Sequence, residues 1–225
     1  EGHEHRAGHY HLSLDGVEGA ETVVNWEKAT FYRLPEDIQP GQHTLRVSLR
    51  DDLHQPLGVE GSVHFVVKAA EGADRGARTE SLIDVSDWLY QEAAADSLAA
   101  HRPDAINCPK NAWYEEDRAL EVQTGYCNYL SLAQPSKAAI NKGNSIHLVL
   151  WHGQLRTEEP AKAHVAVSVA GQLLWEDVIE IPSAAGIHDV TVPVTFDAAV
   201  GSQVEYHLHN HGYNTWTLLT LDVQR

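Results

Sequence analysis

SIHLVLWH (145–152), AHVAVSVAG (163–171), QLLWEDVIEI (172–181), HDVTVPVTF (188–196), VEYHLHN (204–210) and TWTLLTLDV (215–223) succeed one another across short breaks rich in Gly, Pro, Asn and acidic residues. These runs are dense in β-branched, leucine and aromatic residues, and several alternate apolar and polar side chains with period two, the mark of a half-buried strand. ALEVQTG (119–125) extends the series to seven. Seven runs at near-regular spacing predict an antiparallel sandwich of immunoglobulin-like or jelly-roll-like type.

Upstream, SLIDVSDWLYQEAAADSLAA (81–100) holds the one helix candidate, with Ser86 or Asp87 as its cap and an alanine-rich body running toward Ala100. AAEGADRGART, ending at Thr79, is small and charged and has no apolar periodicity, as expected of a linker. Toward the N-terminus the two-residue period returns. HYHLSLD (9–15) sets Tyr10, Leu12 and Leu14 against His9, His11 and Ser13, and HTLRVSLRD (43–51) sets Leu45, Val47 and Leu49 against Thr44, Arg46 and Ser48. SVHFVV (62–67) adds another strand, and PEDIQPGQ (35–42) suits a turn. The expected organisation is all-β: a small His-rich sandwich over 1–69, a linker over 70–79 and a larger sandwich over 80–225, with one short helix.

With 225 residues, 43% of them hydrophobic, the chain can support packed cores. Its formal net charge of -16 repels phosphate backbones and anionic lipid headgroups, so nucleic acid is not an expected partner. The same field concentrates cations. No apolar run reaches the roughly 18–20 residues of a membrane-spanning helix. The sequence starts at Glu1 and contains no Met, which predicts a removed export signal or a truncated chain. Cys108 and Cys127, the only cysteines, bracket a segment with turn-rich ends, INCPKN and TGYCNY. In an oxidising compartment they are expected to form a disulfide; two buried thiols are the alternative. These features point to a secreted or periplasmic setting.

Two stretches resemble known proteins. AGHYHLSLDG (7–16) with PGQHTLRVSLRDDLHQPL (40–57) resembles small exported bacterial β-domains of largely unassigned function, over about the first quarter of the chain. HLHNHGYNTWTLLTLDV (207–223) resembles the closing strands of exported bacterial sandwich domains, some of which bind carbohydrate. Both resemblances imply fold rather than ligand.

The chemistry concentrates in EGHEHRAGHYH (1–11), where His3, His5, His9 and His11 fall within eleven residues. If Glu1 is the mature terminus, its amine, the next two amide nitrogens and the His3 imidazole make a square-planar set, which favours copper(II) or nickel over zinc. His9 and His11, two apart on a strand, face the same way and can share one ion. His5 is a further candidate, and so is His54 in the RDDLHQPL loop, with Asp51 or Asp52 as oxygen donors or supporting partners. His43 is equally suited to the core edge. Against metal binding stands a solvated polar face or a purification tag. His207 and His209, on one strand face, form a possible second metal site with His152 and His164, although turn-forming roles weigh more there.

Trp113, Tyr114 and Tyr126, around the cysteine loop, are the carbohydrate candidates, because flat aromatic faces stack on sugar rings. The adjoining acidic residues make calcium a possible ligand of the WYEED segment. The catalytic signatures G-x-S-x-G and H-E-x-x-H, the phosphate-binding loop and the dinucleotide fingerprint are all missing. The sequence therefore supports an exported metal-binding protein, most readily for copper. The alternative is an extracellular carbohydrate-binding or self-assembling surface protein, with metal-bridged subunits as a variant.

Overall fold

A computed structural model of the protein describes residues 9–16, 23–25, 32, 34–35, 37–51, 54–68, 78–92, 95–116 and 118–225. The chain falls into two compact units, Glu1–Arg75 and Gly76–Arg225.

The first unit holds β1 (His9–Leu14), β2 (Val23–Asn25), β3 (Gly41–Arg50) and β4 (Pro56–Val67) in one antiparallel sheet, ordered β2-β1-β3-β4. Register explains the alternation. Tyr10 stands opposite Leu49, Leu12 opposite Val47 and Leu14 opposite Leu45, while His9, His11 and Ser13 stand opposite Arg50, Ser48 and Arg46 on the other face. The expected small sandwich is, among the described residues, a single layer. β1 is paired along both edges, by β2 and β3, and β4 extends the same sheet, so no described strand is left for a second layer.

The second unit is a two-layer antiparallel sandwich. Its strands are β5 (Thr79–Ser81), β6 (Leu89–Tyr90), β7 (Trp113–Glu116), β8 (Ala119–Gln123), β9 (Tyr129–Pro135), β10 (Ser145–His152), β11 (Ala161–Val169), β12 (Gln172–Ile181), β13 (Gly186–Pro193), β14 (Gln203–Asn210) and β15 (Thr215–Gln224). One sheet runs β13-β10-β15-β8-β7, with β5 also on β15; the other runs β12-β11-β14-β9-β6. Ile146, Leu148 and Leu150 of one sheet and Val165, Val167, Tyr206 and Leu208 of the other join Trp216 in the buried core. This is the apolar parity of each strand turned inward. Cys108 and Cys127 are disulfide-bonded.

Among the described residues of 86–100 the expected helix is not formed. Its start is a single 3-10 turn, Val85–Asp87, capped by Asp84, which accepts from Ser86 N at 3.1 Å and Ser86 Oγ at 2.7 Å. Leu89 and Tyr90 then pair with β9, Gln91 N donates to Ser131 O, and a second 3-10 turn closes at Ala99–His101. Sheet pairing and polar anchors override the helix preference of the alanines. None of the described helices is long and apolar enough to cross a membrane.

Candidate metal centre

Strand geometry puts His9 and His11 on one face of β1, and the loop after β3 brings His54 to them. Asp51 organises that loop: its Oδ1 accepts from Gln55 N (2.8 Å), its backbone oxygen from His54 N (3.0 Å), and its own N donates to Gln55 O (3.0 Å). His54 adopts a left-handed backbone, φ 61°. Nε2 of His9 lies 3.1 Å from Nε2 of His11, and each is 3.0 Å from Nδ1 of His54. Among the described residues, this is the one set of three or more His, Cys, Asp or Glu side chains whose ligand atoms all lie within 4.8 Å of one another. His9 is buried, His11 half-buried and His54 exposed, so the set is walled on one side and open on the other.

The three nitrogens form a nearly equilateral triangle, which is poor hydrogen-bonding geometry. A ring nitrogen carries one N–H or one lone pair, never both, so a single proton can serve two neighbours at most while their lone pairs repel. A central cation engages all three lone pairs. At the Zn–N distance of about 2.0–2.1 Å, spacings of this size subtend roughly 90–100° at the ion, a facial cap rather than a square plane. The donor set fits a divalent transition ion.

His43 is placed elsewhere. Its Nδ1 meets Asp15 Oδ2 at 2.7 Å, its Nε2 meets Gln39 O at 2.7 Å, and its ring stacks on Phe65. The hydrogen bond to Asp15, followed by that to Gln39, raises its pKa. Both nitrogens are thereby committed to structure. Glu1, His3, His5 and Asp52 lie outside the described residues.

In the second unit the structure divides the four histidines read as a second set. His152 ends the inward row of β10, bonds its Nδ1 to Gly153 O (2.9 Å) and packs on Trp216 and His188. His164, His207 and His209 sit on β11 and β14 of the other sheet, where His101 joins them. No sequence motif singled out His101, because a helix was expected there. Burial pushes His207 down to about 3 and His209 down to about 4.

The carbohydrate candidates do not share a face. Trp113 packs on the core, whereas the Tyr114 hydroxyl donates to Glu121 and accepts from Gln123 Nε2, both at 2.7 Å. Tyr126 is 64% exposed. On an adjoining turn Tyr213 is 58% exposed, and its ring lies where a methyl on Gly125, the residue before Tyr126, would touch it at 3.6 Å. Sequence spacing gave no sign that the two turns adjoin.

No family model and no curated protein matches the chain. Solved structures similar to it include a Clostridium perfringens ZmpB M60 catalytic domain with CBM51-1 and CBM51-2 (TM-score 0.31, 12% identity, 83% of this chain and 18% of that one). Another is CBM51-2 in complex with GlcNAc and INT domains from the same protein (0.31, 13%, 96% and 40%), and a third is a CBM4 structure (0.35, 8%, 62% and 95%). The chain spans less than half the length of the first two. At TM-scores of 0.31–0.35 these likenesses carry no argument about this chain's ligand or role.

Proposed function

We propose that the protein binds a divalent transition metal in its first unit, through Nε2 of His9, Nε2 of His11 and Nδ1 of His54. The mutual 3.0–3.1 Å spacing of those nitrogens carries the reading. Three protein ligands leave coordination positions free, so the ion is exchangeable and the role is capture, delivery or sensing rather than a closed structural site. The facial triangle is not the square plane that copper(II) favours, and it suits a facially capped divalent ion such as zinc or cobalt. The disulfide and the charge of -16 support an oxidising, extracytoplasmic setting in which cations gather at the surface. Calorimetric titration of the metal-free protein with Zn(II) and Cu(II), beside a His9→Ala/His11→Ala/His54→Ala variant, tests this. One equivalent lost with the triad supports the reading; identical isotherms overturn it.

A second reading rests on Tyr126 and Tyr213, two exposed rings on adjoining turns that offer a sugar-stacking surface. Glycan-array binding that disappears in Tyr126→Ala/Tyr213→Ala supports it, and an array without signal removes it.

A further inference from the structure

The outer face of the five-stranded sheet in the second unit should meet water, yet its side chains are buried. His164 and Ser168 of β11 and Glu205 and His207 of β14 are each under 7% exposed. The roof is the stretch following β6. Gln91 Nε2 (3.2 Å) and the Ser97 hydroxyl donate to Glu205, and the Tyr129 hydroxyl donates to Asp96. Under this roof His164 stands opposite His209 in the strand register, two positions along from His207, which faces Ala166, and the His164 and His207 rings are 5.0 Å apart. His101, at the end of the roof, lays its ring on that of His164 at 4.0 Å and reaches to 6.0 Å from His207.

Hydrogen bonding inside this cluster is incomplete in a directed way. His207 is 1% exposed and neither of its ring nitrogens has a partner among the described residues. His164 binds Glu176 Oε2 through Nε2 at 3.0 Å, which places the ring proton on Nε2 and the lone pair on Nδ1. That Nδ1 is buried and unpartnered too. A carboxylate on the far nitrogen is how a ligating histidine is ordinarily held, since it fixes tautomer and ring orientation. A buried polar atom left without a partner is destabilising, and a bound cation removes that penalty from its ligand nitrogens.

We propose a second transition-metal site here, with Nδ1 of His164, His207 and His101 as the ligands and Glu176 as the partner orienting His164. His101 is exposed, so its ring is free to swing off the face of His164 and turn a nitrogen to the ion. That swing completes a set whose nitrogens do not converge while the two rings lie flat together. An ion bound there fastens the roof to the sheet. The ligand class is a divalent first-row ion that accepts neutral imidazole, such as zinc or cobalt.

Co(II) titration of the His9→Ala/His11→Ala/His54→Ala variant, read by visible absorption, tests the site apart from the first centre. One equivalent should bind. Adding His101→Ala, a change at an exposed position, should weaken it on the order of 10-fold or more, and Glu176→Gln by 10–100-fold. Circular dichroism confirms that each variant is folded. A folded triad variant that takes up no Co(II), or one whose affinity ignores both added changes, overturns the second site. Failure of the first centre looks different: wild-type protein then binds one equivalent that depends on His101 and not on His54.

Discussion

His11 Nε2 and His54 Nδ1 lie 3.0 Å apart although 43 residues separate them. The contact depends on the Asp51 turn that follows β3. Replacing His54 with Ala should weaken metal binding at least 10–100-fold, the range seen when only an outer partner of a ligand is lost. Asp51→Ala keeps every ligand but loosens the turn, and it should reduce affinity by a smaller factor. Competition against a chromophoric chelator measures both; equal affinity in wild type and His54→Ala would exclude His54 as a ligand.

The buried imidazoles of the second unit make the metal-free protein acid-sensitive. His207 and His209 have folded values near 3 and 4, below the ordinary imidazole value of about 6.5. The unfolded chain therefore takes up protons first as pH falls, and stability declines from about pH 6.5 toward 4. Melting temperatures taken from pH 7.5 to 4.5 should drop across that window, and less steeply in His207→Gln. A flat profile in wild type would count against the burial of these rings.

Glu121 has the opposite sign. Burial, then its hydrogen bond with Glu116, raises its pKa to about 7. The folded state holds a proton there that the unfolded state has released, so this group's contribution to stability falls as pH rises from about 4.5 to 7. Glu121→Gln should stabilise the protein at pH 8 by about 1 kcal/mol, since solvent screens part of the effect, and by nothing measurable at pH 4. Denaturant midpoints at the two pH values check this.

A methyl group on Gly212 would stand 2.6 Å from the Arg156 carbonyl oxygen and 3.1–3.2 Å from the Ile181 side chain. The backbone oxygen cannot easily retreat, because it accepts from Tyr213 N at 2.7 Å. Gly212→Ala should cost about 1–3 kcal/mol, as overpacking does. A chemical-denaturation curve overlying wild type would refute the close approach.

Legibility in the sequence followed the range of the interactions. All seven runs from ALEVQTG to TWTLLTLDV are strands, because alternation is local and each strand carries its own inward row. The pairing of His9 with His11 was equally local. His54 could be proposed from its loop, but its approach to β1 depends on a left-handed residue and an Asp51 turn. The 81–100 stretch misled, since its alanines favour helix while Gln91, Asp96 and Ser97 are bound by residues of the sheet. That error concealed His101. His152 was grouped with His164 because their strands are consecutive, yet β10 and β11 lie in different sheets. Consecutive strands that change sheet leave no local mark.

Crystals grown with zinc and measured on both sides of its absorption edge give the most direct view of the first centre. An anomalous peak is expected about 2.0–2.1 Å from Nε2 of His9, Nε2 of His11 and Nδ1 of His54 alike. Rings turned away from one another with no peak between them, in crystals containing excess zinc, would contradict it.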